Sequence, residues 1–289
     1  MPAEPAAPFE VAAGGVAIRG EREGEGPPVV LCHGITATRR QVLHGSRALA
    51  RAGHSVVSYD ARGHGESDPA PAGAGALLGG GYAYPELVAD LEAVIAEEVG
   101  EGDFALAGHS MGAHTAVAHA LARPERVAAL VIVGPVYDGS ISDASLEYWD
   151  GLADALLAGG VDAFVDYVVR VQGSGPSWRD SVMRFTRARM EAHRHLDAVA
   201  DALREVPRSR PFDSLAELEG LEVPALVVAS SDDADPGHPY ATAAEYARRL
   251  PRAELISEAE GQSPLAWQGG RLSREIARFC TARWPKAQE

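Results

Sequence analysis

Cysteine is scarce in this sequence: its 289 residues carry only Cys32 and Cys280. Two isolated thiols build no disulfide framework and have none of the spacing of a metal site, so both are expected to be small buried apolar residues. Long hydrophobic runs are also missing. No window approaches 18 uncharged apolar residues, which excludes a membrane-spanning helix. Residues 1–8 are rich in proline and alanine and lack a basic segment ahead of an apolar core, so no signal peptide is expected. Positive charge is the third deficit. Against 41 acidic residues there are 26 basic ones, a net charge of −15. That balance argues against nucleic acid or an anionic membrane as partner. A cytoplasmic enzyme acting on a small molecule is the expected class, and nothing in the sequence indicates an oligomeric state. Internal repeats are absent.

What is present is a β-α rhythm. Residues 9–19 alternate loosely, as an edge pair of strands does. Short, largely apolar runs follow at residues 29–32, 55–59, 104–107 and 127–133. Helical periodicity fills residues 40–53 and 84–99. Uninterrupted apolar strands alternating with helices predict a parallel sheet covered on both faces, an α/β fold. From about residue 136 to 211 the pattern is helical only, over 142–158, 161–171, 177–192 and 195–204. Strand rhythm resumes at Ala225–Ala229 and again at Ala253–Ser257, with helices over 240–250 and 272–284. A helical insertion inside an α/β core predicts a cap over residues 136–212, with a core made of 1–135 and 213–289. The 46% of hydrophobic residues is ample for such a core.

Gly108-His109-Ser110-Met111-Gly112 is the most specific motif. It fits G-x-S-x-G, with an apolar strand before it and an alanine-rich helix after it. A serine on a sharp strand-to-helix turn is exposed above the sheet, and flanking glycines let backbone and helix approach without a clash. This context predicts a nucleophile elbow with Ser110 as nucleophile.

Three more segments complete the pattern. His33-Gly34-Ile35-Thr36 follows the first buried strand. Asp60-Ala61-Arg62-Gly63-His64-Gly65-Glu66-Ser67 follows the second. Asp232-Asp233 follows the strand Ala225–Ala229. With the elbow, they make the chain resemble the α/β-hydrolase superfamily over nearly its whole length, a mostly parallel central sheet flanked by helices with a helical cap. The resemblance implies an esterase-like hydrolase with Ser110 as nucleophile and Asp232 as the acid, with Asp233 and Asp235 as near competitors. It implies an oxyanion hole from the backbone N–H groups of Ile35 and Met111. His33, Gly34 and Gln262 are expected at the substrate. Residues 60–67 are expected to form a compact structural turn, with Arg62 and His64 satisfying backbone carbonyls. No metal or organic cofactor is implied.

The histidine departs from the pattern. The family places Gly-His after the last strand, where this chain has Gly261-Gln262, and no histidine follows. Glutamine does not titrate near neutral pH and cannot take the serine proton. Among the ten histidines, His238 in Asp235-Pro236-Gly237-His238-Pro239 is the leading substitute, since its loop lies at the carboxyl edge of the sheet where open α/β sheets place their sites. His193 and His195 of the cap are further candidates. His44 and His119 look like ordinary helix residues, His114 like packing, and His109 is expected to point away from the serine hydroxyl. The expected function is therefore hydrolysis of an ester or related acyl bond with a non-standard base. Lyase, isomerase or cyclase chemistry, or silent ligand binding, remain as alternatives. Tyr137, Trp149, Tyr167 and Trp178, together with residues 69–81, are candidates to shape the pocket.

Overall fold

The computed structural model describes residues 6–71, 81–172, 178–230 and 235–284. Eight strands form one sheet in the order β1-β2-β4-β3-β5-β6-β7-β8. β1 (Ala7–Ala13) and β2 (Val16–Glu23) are an antiparallel hairpin at one edge. Gly14 and Gly15 close it with φ of 56° and 83°, the left-handed pair that a two-residue hairpin turn needs. β2 pairs antiparallel with β4 (Ser55–Tyr59). All further pairings are parallel: β4 with β3 (Pro28–Cys32), β3 with β5 (Phe104–His109), then β6 (Val127–Val133), β7 (Ala225–Ala229) and β8 (Ala253–Ser257).

Continuous apolar runs suit these inner strands because both of their faces are covered. Side chains alternate between two cores. Val30, Cys32, Phe104, Leu106, Leu130, Ile132 and Val227 enter one, which also receives the apolar faces of α2 (Tyr84–Glu98) and α3 (Met111–Ala122). Val29, Leu31, Ala105, Ala107, Val131 and Leu226 enter the other. There they meet Leu49 of α1 (Ala48–Arg51) and Ile276, Phe279 and Cys280 of α8 (Gly269–Arg283). Cys32 and Cys280 are both free and buried.

Between β6 and β7 the described chain is helical. α4 (Asp143–Gln172) bends at Gly159 and Gly160, whose φ values are −145° and 62°, so the two helical patterns in the sequence meet at a glycine kink. α5 (Arg179–Met190) and α6 (Leu196–Glu205) follow, and α4 packs on both. α7 (Tyr240–Arg249) joins β7 to β8. The sequence predicts one helix over 40–53, but the chain makes a single 3₁₀ turn at Arg39–Gln41 and then the short α1. His44 (φ 47°) and Gly45 (φ 73°) in left-handed conformation interrupt the helical path between them. No helix among the described residues is long and apolar enough to cross a membrane.

The turn after β4 is held internally. Arg62 grips Asp90 of α2 through two hydrogen bonds of 2.8 and 2.6 Å and donates to the Gly81 carbonyl at 3.0 Å. His64 faces the carbonyls of Arg62 (2.9 Å) and Ile35 (2.8 Å). His193, between α5 and α6, accepts from the Gly65 amide at 2.9 Å and lies 3.2 Å from the Thr36 carbonyl. The rings of His33, His64 and His193 form a buried row, with centroids 5.2 and 5.5 Å apart. Burial, and then the neighbouring histidine, pushes His33 and His193 down to about 3. Burial does the same to His114.

Two expectations follow from this architecture. A Cβ on Gly112 would collide with the Cys32 carbonyl, so Gly112→Ala should destabilise the fold by about 3 kcal/mol, read by denaturant unfolding. A neutral loss would mean that α3 does not press on β3 as described. The second concerns acid. Histidines held neutral in the fold but free to charge at their ordinary 6.5 when unfolded make the unfolded state bind more protons between about pH 6.5 and 3. Stability should be flat above pH 7 and fall through that window, by up to about 1.4 kcal/mol per pH unit for each such histidine. The raised carboxyls of Asp90 and Glu205 act in the opposite sense. Urea titrations from pH 8 to 4 would expose the slope, and a flat profile would contradict it.

Candidate functional site

Ser110 closes β5 and opens α3 with φ 54° and ψ −115°, a conformation unfavourable for a residue with a Cβ. Close packing enforces it. A Cβ on Gly108 would strike the Gly112 carbonyl. The Ser110 amide is tied to the Val133 carbonyl at 2.9 Å, and its own carbonyl accepts from the His114 amide at 3.1 Å. The serine side chain thus stands at the carboxyl edge of the sheet, where β3, β5, β6 and β7 end.

Two cavities meet there. The larger, about 710 Å³, is lined by Gly34, Ile35, His109, Ser110, Asp235 and His238, with apolar walls that include Trp149, Leu152 and Phe164 of α4. The smaller, about 90 Å³, lies on the other side of Ser110 and Ile35 and is lined by Met111, His114, Tyr84 and Tyr137. Among the described residues, no hydrogen bond occupies the amides of Ile35 or Met111. Both residues line the smaller cavity together with Ser110.

A single turn carries an acid and a histidine together. The His238 amide donates to the Asp235 carbonyl at 3.1 Å, and its Nδ1 lies 2.7 Å from Asp235 Oδ1. Pro236 at the second position of this four-residue turn has its φ preset for it. Burial acts to raise the Asp235 carboxyl, but His238, then His109 and Arg189, bring it below the usual carboxylate range. Gly134, at the end of β6 with φ 56°, braces the imidazole: a Cβ there would lie 3.0 Å from its Cδ2. An imidazole whose Nδ1–H is held by a carboxylate presents Nε2 as a base. The Ser110 hydroxyl forms no hydrogen bond with any described residue, and Ser110 and His238 line the same cavity.

The other expected residues fall in different places. Asp232 and Asp233 lie outside the described residues. Gly34 lines the larger cavity. His33 does not; its Nδ1 donates to the Gly34 carbonyl at 2.8 Å and its Nε2 accepts from the Ala61 amide at 2.9 Å, fixing the loop that presents Ile35. Gln262 is exposed, accepts from Arg271 at 2.9 Å and does not line the cavity. His114 accepts from the amides of Val136 and Tyr137, both at 3.1 Å, and meets the Tyr84 hydroxyl at 2.9 Å, so it shapes the smaller cavity. Trp149 borders both cavities and Tyr137 the smaller, whereas Tyr167 and Trp178 line neither. Of residues 69–81, the stretch 72–80 lies outside the described residues.

His44, His109 and Arg189 are among the cavity residues that the sequence does not place there. His109 was expected to point away, yet it lines the larger cavity with its ring centroid 4.9 Å from that of His238. Burial, then the His238 charge, lowers it well below the ordinary histidine value, and its enclosed Nε2 has no partner. Arg189, near the end of α5, faces the same cavity. Nothing in its helical surroundings in the sequence distinguishes it from a surface arginine. Among the described residues, no cluster of three histidine, cysteine, aspartate or glutamate side chains is arranged to hold a metal.

With the geometry established, the comparisons become informative. A model of the alpha/beta hydrolase fold matches residues 27–263. A protein of Variovorax paradoxus named carbamate hydrolase RutD is 28% identical over 75% of this chain and 77% of its own length. One of the same name from Azorhizobium caulinodans is 30% identical over 74% and 76%. Among solved structures, a thermophilic esterase from Thermogutta terrifontis with malate bound superposes with a TM-score of 0.78. It is 20% identical, and the match covers 96% of this chain and 99% of that one, a likeness of fold.

Proposed function

Because this chain is a hydrolase-type member of the α/β-hydrolase family, we propose that it is a serine hydrolase that cleaves an ester or related acyl bond of a small molecule, with His238 and Asp235 as its base and acid. The observation that carries this reading is the 2.7 Å bond between His238 Nδ1 and Asp235 Oδ1 on the rim of the cavity that holds Ser110. Residues 136–212 act as the cap, and 1–135 with 213–289 as the core.

In the forward step, His238 Nε2 takes the Ser110 proton while the serine oxygen bonds to the substrate carbonyl carbon. Asp235 orients the ring and offsets the imidazolium charge. The Ile35 and Met111 amides stabilise the oxyanion. The tetrahedral adduct then expels the leaving group, which receives the proton from His238, and leaves an acyl-serine. Water repeats the sequence: His238 takes its proton, the hydroxyl attacks the acyl carbon, and Ser110 departs with the proton returned. Serine geometry, free amides and a carboxylate-held imidazole support each of these steps. A non-hydrolytic reading relies on Gln262 beside the serine, and the exposed pairing of Gln262 with Arg271 removes that support. The carbamate named in the relatives' titles is one acyl class to screen first.

Two predictions test the assignment. Ser110 should be labelled by a fluorophosphonate probe in the wild type, and His238→Ala should slow both labelling and p-nitrophenyl acetate cleavage by about 10³-fold, with Asp235→Asn nearly as severe. Wild-type rates in His238→Ala would sink the reading. Second, Gln262→His should change esterase activity by less than about threefold, because the base already stands at 238. A gain of several orders of magnitude would locate the missing base at 262 instead.

A further inference from the structure

The larger cavity contains a guanidinium that no carboxylate among the described residues holds at hydrogen-bond distance. Arg189 lies near the end of α5 and lines the same space as Ser110 and His238. Its Nε is enclosed and has no hydrogen-bond partner. Its single side-chain hydrogen bond runs from Nη2 to the Thr186 hydroxyl one turn earlier, at 3.3 Å. No carboxylate pairs with it among the described residues. Arg39, Arg62, Arg187 and Arg208 each meet an acid at close range. Asp235 is the acid that acts on Arg189 electrostatically; its Oδ1 is bonded to His238, and no hydrogen bond joins its buried Oδ2 to Arg189 among the described residues.

Burying one member of an ion pair without the other is strongly unfavourable, and packing alone does not require it. An arginine serving only as the C-terminal cap of α5 would donate to the last carbonyls of the helix. Arg189 donates to none of them. Burial depresses its pKa, as expected for a cation short of an anion, with Asp235 and Tyr148 opposing. The net charge of −15 does not argue against an anion here. Screening limits distant surface charges to about 8 Å at physiological salt, whereas an enclosed guanidinium acts at contact distance.

We propose that Arg189 is the subsite for a substrate carboxylate, so that the compound cleaved at Ser110 is an acyl compound carrying a free carboxylate elsewhere in its skeleton. The proposal rests on the reading of Ser110 as nucleophile and specifies its substrate class. Arg40, the other arginine lining the cavity, pairs with Glu21 at 3.3 Å, which leaves Arg189 to take a monoanion, and the planar guanidinium fork matches a carboxylate. The 710 Å³ cavity accommodates the carboxylate-bearing portion, and the 90 Å³ cavity beyond Ser110 only a small group.

The test compares the mono-p-nitrophenyl ester of glutaric acid, its second carboxylate free, with the same ester capped as a methyl ester. The wild type should favour the free carboxylate by about 10- to 100-fold in kcat/KM, most of it in KM. Arg189→Gln should collapse that ratio to near one, and Arg189→Lys should keep part of it. Stability supplies a reading independent of turnover. Removing an uncompensated cation should leave the Tm of Arg189→Met equal to or above that of the wild type, whereas loss of a structural arginine would lower it. Glutarate should raise the Tm of Ser110→Ala and not that of the double variant Ser110→Ala/Arg189→Gln. If neither ester is cleaved but glutarate still protects Ser110→Ala through Arg189, the catalytic reading fails and the subsite stands. A wild type that cleaves both esters equally, or an unchanged ratio in Arg189→Gln, overturns the subsite.

Discussion

The close approach of α3 to β3 and β5 is the constraint on which the rest of the site depends. Gly112 presses on the Cys32 and His33 carbonyls, and Gly108 presses on Gly112. No side chain fits at either place, so the chain turns from strand to helix within one residue. Ser110 absorbs the turn with a positive φ. Strain of that kind persists only where surrounding packing over-determines it. Here the packing consists of apolar strands buried on both faces. The same compression carries the Met111 amide and the Gly34-Ile35 loop to opposite sides of the serine. A catalytic-type constellation therefore follows from a packing requirement of small residues between large ones, before any polar contact is considered.

The imidazole is positioned by a different device. In the pattern that the resemblance implied, acid and histidine arrive from two separate loops. Here one tight turn supplies both, closed by a backbone bond from His238 to Asp235 and by a side-chain bond between the same two residues. A pair three residues apart on a proline-containing turn loses little conformational freedom when it forms. The turn is also anchored from outside, by Gly134 against one part of the ring and His109 near it. Neutral His109 adds no like charge to an imidazolium at 238. The loop after β8, released from carrying a histidine, packs instead through Glu258, which accepts from the Leu265 amide at 3.0 Å.

The parallel sheet, its order of strands and helices and the elbow were legible because they are written in local signals: apolar runs of four to seven residues, glycines flanking one serine, and a break in rhythm after Val133. Residues 40–53 misled because helical periodicity is a weak argument against His44 and Gly45, whose left-handed backbone breaks the helical path. His238 was legible from its place at the carboxyl edge of the sheet. Its bond to Asp235 was not, since three acids lie close together in the sequence there and position alone does not single out Asp235. Gln262 stands where the resemblance places a histidine, but a missing group says nothing of where a side chain goes, and this one pairs with Arg271 at the surface. Arg189 carried no signal at all. What makes it unusual is the absence of a partner, and pairing is a property of three-dimensional neighbours.

The charge balance of the cavity connects these pieces. Its groups include one carboxylate engaged by one imidazole, a second imidazole kept neutral by burial, Arg40 paired with Glu21, and Arg189, which no carboxylate bonds among the described residues. In the proposed reaction, moving the serine proton to His238 adds a positive charge to a space already holding Arg189. In a low-dielectric cavity two cations raise the cost of that transfer. A carboxylate seated on the guanidinium removes the penalty just when a substrate is present, and an uncharged substrate leaves it in place. The same side chain thus biases binding and proton transfer toward one chemical class. Selectivity of this kind needs no added contact at the reacting carbonyl, because it acts through the field in which the imidazolium forms.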